Sequence, residues 1–107
     1  MAHSIDVRLS GVILTVSGDI PHVVCVDDHG GDALPFGPLD TSAERTLELA
    51  VRRVVHEQTG MELGYVEQLY TFGDLGRAHA GRVISIAYMA LVREHEVDAH
   101  SGVIWRN

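Results

Sequence analysis

The chain has 107 residues, 46% of them apolar, and a formal net charge of −7, which fits one small domain with a single core and argues against disorder. The acidic balance opposes direct contact with nucleic acid, which needs clustered positive charge. The single Cys25 excludes a disulfide framework or a cysteine-rich zinc site. The longest apolar run, residues 83–92, is interrupted by Ser85 and falls well short of the ~20 residues of a membrane span. No basic-then-apolar leader opens the chain, so a cytoplasmic protein without a membrane partner is expected.

Residues 7–16 read as a strand around Val12-Ile13-Leu14. Gly18-Asp19 and Pro21 then signal a turn into a second strand at 22–26. Cys25, set among valines, reads as a small core residue rather than a nucleophile. The polar, glycine-rich residues 27–32 are the best hairpin connection in the chain. Leu34-Pro35-Phe36-Gly37-Pro38 is rigid and non-helical.

A helix is expected over 42–59. Thr41 with Glu44 three residues later forms a capping-box signature, and Gly60 stands where a left-handed terminating residue is needed. Leu47, Val51, Val54, Val55 and Gln58 share one face at 3.6-residue periodicity. Arg53 and Glu57 lie on the edge of that stripe, spaced to pair with each other.

Residues 65–72 follow as a strand with β-formers on both faces. Residues 73–81 form a second glycine-rich loop, and 82–92 form the most apolar strand, suited to a central position. The charged segment 93–100 reads as solvated, and 103–105 as a short final strand. No repeat, low-complexity tract or linker divides the chain, so residues 1–107 are one domain of α+β class.

Seven histidines are scattered. The nearest pair, His95 and His100 beside Glu94 and Glu96, lacks helical ligand spacing, so no transition-metal site is expected. All eight basic residues are arginine. That fits either a GC-rich coding bias or guanidinium forks suited to pyrophosphate or carboxylate.

Three segments in order resemble the Nudix superfamily, and within it the NAD-related transcriptional regulators close to ADP-ribose pyrophosphatases. Leu34-Pro35-Phe36-Gly37 stands where the family has Leu-Pro-Gly-Gly. The second segment, 53–61, reads Arg-Val-Val-His-Glu-Gln-Thr-Gly-Met against the family's Arg-Glu-apolar-x-Glu-Glu-x-Gly-apolar. The third comprises Gln68-Leu69-Tyr70-Thr71-Phe72-Gly73-Asp74, Gly76-Arg77 and the strand from Arg82. Counting back from Arg53, the family's first glutamate falls on Arg45 and its opening glycine on Leu39. Val54 and Gln58 replace two later glutamates, and Glu57 alone is kept. Both replacements are expected on the inward helix face, where the carboxylates would have met metal.

The resemblance implies a Nudix-like α/β/α sandwich with a mixed sheet. Asn107 precedes both the C-terminal helix that completes such a sandwich and the winged helix of the regulators, so an N-terminal fragment of a longer protein is expected. The family holds magnesium through several glutamates. Glu57 alone is a poor cage, because Mg²⁺ usually needs one or two carboxylates plus substrate phosphate oxygens. The expectation is therefore a sensor of an ADP-ribose-like nucleotide with no catalytic residue and no cofactor. Ligand contacts would come from Arg53, Arg77 and Arg82, with Phe36 or Tyr70 stacking on a base.

Each assignment has a plainer competitor: Arg53 as a partner of Glu57 alone, Tyr70 as a core residue, and Arg82 as a strand-edge charge. The rival reading is a Mg-dependent diphosphatase using Glu57 with a relocated carboxylate, Glu44 or Glu48. A third is a ligand-free dimerisation module. Exposed sheet edges favour a homodimer.

Overall fold

The computed structural model describes residues 5–75, 82–98 and 104–106. Strand β1, Ile5–Ser17, alternates buried and half-buried residues from Leu9 to Thr15, the period-2 signature of a strand with two unlike faces. Gly18 and Asp19 both take positive φ, 59° and 63°, the pair that a tight twisted hairpin turn requires. They lead into β2, Ile20–Asp28. His29 and Gly30 repeat the device, with φ of 52° and 87°, into β3, Gly31–Ala33.

The chain then returns through β4, Phe36–Pro38, which pairs antiparallel with Arg8, Leu9 and Ser10. After helix α1, Leu47–Thr59, strands β5, Val66–Leu75, and β6, Arg82–Leu91, form an antiparallel pair. Strand β6 runs parallel to β1 over ten residue pairs, from Ile5 with Arg82 to Leu14 with Leu91. Helix α2, Glu94–Asp98, and β7, Ile104–Arg106, follow, and β7 pairs with β2. The described strands make one mixed sheet ordered β3-β2-β1-β6-β5, with β4 alongside β1.

One face of the sheet carries Leu9 and Ile13 of β1 with Ile86, Tyr88 and Ala90 of β6. Ala50, Val51 and Val55 of α1 cover it. Gly11 is required here, because a Cβ would meet Val55 Cγ2 at 2.9 Å. The helix therefore lies close on β1, and a larger residue would lift it off.

Helix α1 begins at Leu47, five residues later than 42, with Thr46 as its cap: Leu49 N donates to Thr46 Oγ1 at 3.1 Å. The capping pair sits upstream and centres on Asp40 rather than Thr41. Asp40 Oδ1 accepts from Ser42 N, and Glu44 Oε1 accepts from Asp40 N. It closes a single turn that does not continue. Gly60 ends the helix in the left-handed region at φ 78°, as expected.

The segment 93–100, read as solvated, contains α2, because Val97 is buried in the core. The second glycine loop is shorter than expected, since residues 73–75 extend β5. The central position of 82–92 and the burial of Cys25 match the sequence reading. Among the described residues no helix is long and apolar enough to cross a membrane.

Candidate functional site

The site forms where α1 meets β4, and Arg53 organises it. Its Nε and Nη2 donate to the two oxygens of Glu44 at 2.6 and 3.1 Å, a bidentate fork. Nη2 also reaches the Pro38 carbonyl at 2.7 Å, and Nη1 reaches Glu57 Oε1 at 2.9 Å. The guanidinium thus ties the end of β4, the isolated turn and the helix together.

Glu44 is held below the ordinary carboxylate range, chiefly by its hydrogen bond from Arg53. Arg53 is raised, first by the same bond. Asp40 is lowered by the Ser42 hydroxyl and amide. Arg53 therefore pairs with Glu57, as one sequence reading had it, and also with Glu44, which the sequence did not reveal. The signal was present: Glu44 lies one residue before Arg45, where the family's first glutamate falls.

Val54 and Gln58, the two positions where the resemblance expects glutamate, are placed differently from each other. Val54 is buried beneath Gly37, where a Cβ would meet Val54 Cγ2 at 3.1 Å. Gln58 is exposed rather than inward, and its amide lies along the backbone of Phe36. Gln58 Oε1 accepts from Phe36 N at 3.1 Å, while Nε2 donates to the Phe36 carbonyl. An amide offers one acceptor and one donor group, and a carboxylate only acceptors, so the contact is specific for glutamine over glutamate.

This donor set does not fit magnesium. An aliphatic side chain fills one position, and an amide committed on both sides fills another. Glu57, 59% exposed, is paired with Arg53. Neither rival carboxylate is free to complete a cage. Both oxygens of Glu44 are engaged, and Glu48 pairs with Arg52 at 3.1 Å. Among the described residues no group of three His, Cys, Asp or Glu side chains is placed to hold a metal.

The proposed stacking residues are brought onto one surface. Phe36 of β4 pairs with Ser10 of β1, Ser10 with Ala87 of β6, and Ala87 with Tyr70 of β5. Directly paired residues point to the same side, so these four form a row on the face opposite α1. Tyr70 is 60% exposed there, so it is not core. A bulge between Gln68 and Tyr70 sets this register; without it Tyr70 would face the other way. Arg82 is exposed at the start of β6, paired with Leu75 and Ile5, and lies on the α1 side of the sheet. Arg77 lies outside the described residues.

A further depression of about 490 Å³ is lined by Arg52, Arg53, His56, Met61, Glu62 and Leu63. Its most prominent cation is already used: Arg52 donates to the carbonyls of Leu63 and Gly64 as well as to Glu48. This arginine fastens the segment leaving α1.

Solved structures resemble the chain along nearly its whole length. The NUDIX domain of NrtR from Shewanella oneidensis, complexed with ADP ribose, superposes with a TM-score of 0.78. It is 27% identical over 98% of this chain and 73% of that one. Shewanella oneidensis NrtR itself matches with a TM-score of 0.81 at 27% identity, over 94% of this chain and 51% of its own. This chain thus spans about half the length of that protein. A MutT/nudix family protein from Enterococcus faecalis matches with a TM-score of 0.79 at 23% identity, over 98% of this chain and 44% of its own. No protein-family model and no curated protein matches the sequence.

Proposed function

We propose that this chain, which has the Nudix fold, binds ADP-ribose or a related NAD-derived nucleotide without cleaving it. In this reading it serves as the ligand-sensing part of a cytoplasmic, homodimeric transcriptional regulator. The observation that carries it is the replacement chemistry at the metal edge. Val54 packs under Gly37 and Gln58 occupies both polar atoms of Phe36. Diphosphate cleavage at such an edge lacks the carboxylates that would hold a Lewis acid and its activated water.

Binding needs none of those carboxylates. It needs positive charge, backbone or hydroxyl donors and a stacking surface. The Phe36–Ser10–Ala87–Tyr70 row supplies aromatic surface, and the similarity to an NrtR domain complexed with ADP ribose supports the ligand class. Arg77 and Arg82 remain the proposed phosphate contacts of the β5–β6 end. Arg53 is reassigned to positioning, since most of its donors are taken. The acidic chain itself makes no contact with DNA in this proposal.

Calorimetric titration with ADP-ribose tests the reading. Saturable binding supports a sensor, and no heat with ADP-ribose, NAD or related dinucleotides would favour a ligand-free module instead.

A further inference from the structure

The core lies on one face of the sheet. Leu9 and Ile13 of β1, with Ile86, Tyr88 and Ala90 of β6, meet α1 and, through Val97, α2. The residues between them point to the other face. Toward the end of β1 these make three apolar rows. Val12 pairs with Met89, Leu14 with Leu91 on one side and Val23 on the other, and Val16 with Pro21. Leu91 is 72% exposed and Val16 61%, while Val12, Leu14, Val23 and Met89 are half-buried. A solitary exposed leucine needs no explanation, but a contiguous apolar patch does.

The make-up of the patch selects its occupant. It holds no charged side chain; Glu67, paired with Met89, stands at its margin. A basic or acidic partner therefore gains nothing there. The middle row, Leu14 with Leu91, has an apolar row on either side. A two-fold axis across the strands at that row lays the Val12 row of one copy on the Val16 row of the other, so the surface is complementary to itself. Twisted sheets pack face to face in this way, with strands about 30° apart. Three rows on three strands cover about 20 by 14 Å in plan. Side-chain relief enlarges that area, yet it stays below the ~800 Å² per partner of a standard complex and suits a weak, reversible pair. The partner's β1 turns back at Gly18, so the row of Phe36, Ser10, Ala87 and Tyr70 stays outside the overlap.

We infer that two copies of this chain meet sheet face on sheet face, through the patch around Leu14 and Leu91. The inference rests on the homodimeric part of the reading above and moves the contact from the sheet edges to a face. It also fixes the response to salt. Each copy carries a net charge of −7, so the two repel at a distance while the contact itself is neutral. Screening, with a Debye length of about 10 Å at 0.1 M and about 3 Å at 1 M, strengthens such a pair.

The test is sedimentation equilibrium of the wild type, Leu91→Glu, Val16→Ser and, as a control, Leu49→Glu at an exposed position of α1. The wild-type dimer fraction is expected to rise between roughly 10 μM and 1 mM, and to rise further between about 0.1 and 1 M salt. Leu91→Glu should weaken the dimer at least tenfold, Val16→Ser by a smaller factor, and Leu49→Glu should associate as wild type. Wild-type amide shifts on dilution, which need no variant, should centre on Leu14, Val16 and Leu91. A dimer of wild-type strength in Leu91→Glu, dilution shifts centred on α1 or β5, or a dimer weakened by salt would overturn this face and leave a homodimer standing. A wild type that stays monomeric throughout would overturn the face and the homodimer together. Nucleotide binding, titrated separately, is untouched by either result.

Discussion

Gln58 pairs with Phe36 much as one strand residue pairs with another, its side-chain amide accepting from Phe36 N and donating to the Phe36 carbonyl. The C-terminal end of α1 is thereby sewn to β4. One side chain thus fixes the strand that leads into the site to the helix that carries Arg53.

Gln58→Glu is expected to destabilise the fold. The carboxylate keeps the bond from Phe36 N but faces the carbonyl with a second acceptor. The loss should be about 1 kcal/mol, the net worth of one exposed hydrogen bond, measured by urea denaturation. Addition of Mg²⁺ should not recover it.

Gly37 and Val54 form a tight contact, 3.1 Å from a would-be Cβ to Val54 Cγ2. Gly37→Ala is expected to cost about 1–3 kcal/mol by overpacking. Val54→Ala makes room, so the double variant should lose clearly less than the sum of the two. Denaturation midpoints of all four proteins give the coupling.

Glu44 carries a pH dependence of stability. Its folded pKa lies below the ordinary glutamate value because Arg53 donates to it. A depressed folded pKa contributes stability above the unfolded value of about 4.5 and loses it as pH falls through the folded one. Asp40, also lowered, acts in the same direction. Thermal melts from pH 7 to pH 3 should show wild type losing stability below about pH 4.5 more steeply than Glu44→Gln.

Much of this arrangement was legible in the residues. The strand at 82–92, the Gly60 terminus and the buried positions Val51, Val54 and Val55 follow from periodicity and turn chemistry alone. The helix start did not, because Asp40 and Glu44 both offer capping oxygens and only the folded chain shows Arg53 claiming Glu44. Helix α2 was hidden for a different reason. Five residues with one buried apolar side chain, Val97, hold too little pattern to read. The row that joins Phe36 to Tyr70 depends on strand register and on a bulge, neither of which a linear sequence displays.

Thr46→Ala removes the side chain that accepts from Leu49 N. The expected cost is about 1 kcal/mol, read as a lower denaturation midpoint with helix content otherwise kept. The same change at Thr41, the cap that sequence spacing suggested, should leave stability nearly unaltered.

The most direct measurement is ³¹P NMR of ADP-ribose mixed with the protein in excess Mg²⁺. The diphosphate resonances should shift and broaden on binding and persist unchanged in area over many hours. Steady conversion to monophosphate signals, abolished in Glu57→Gln, would contradict a binding domain that does not cut its ligand.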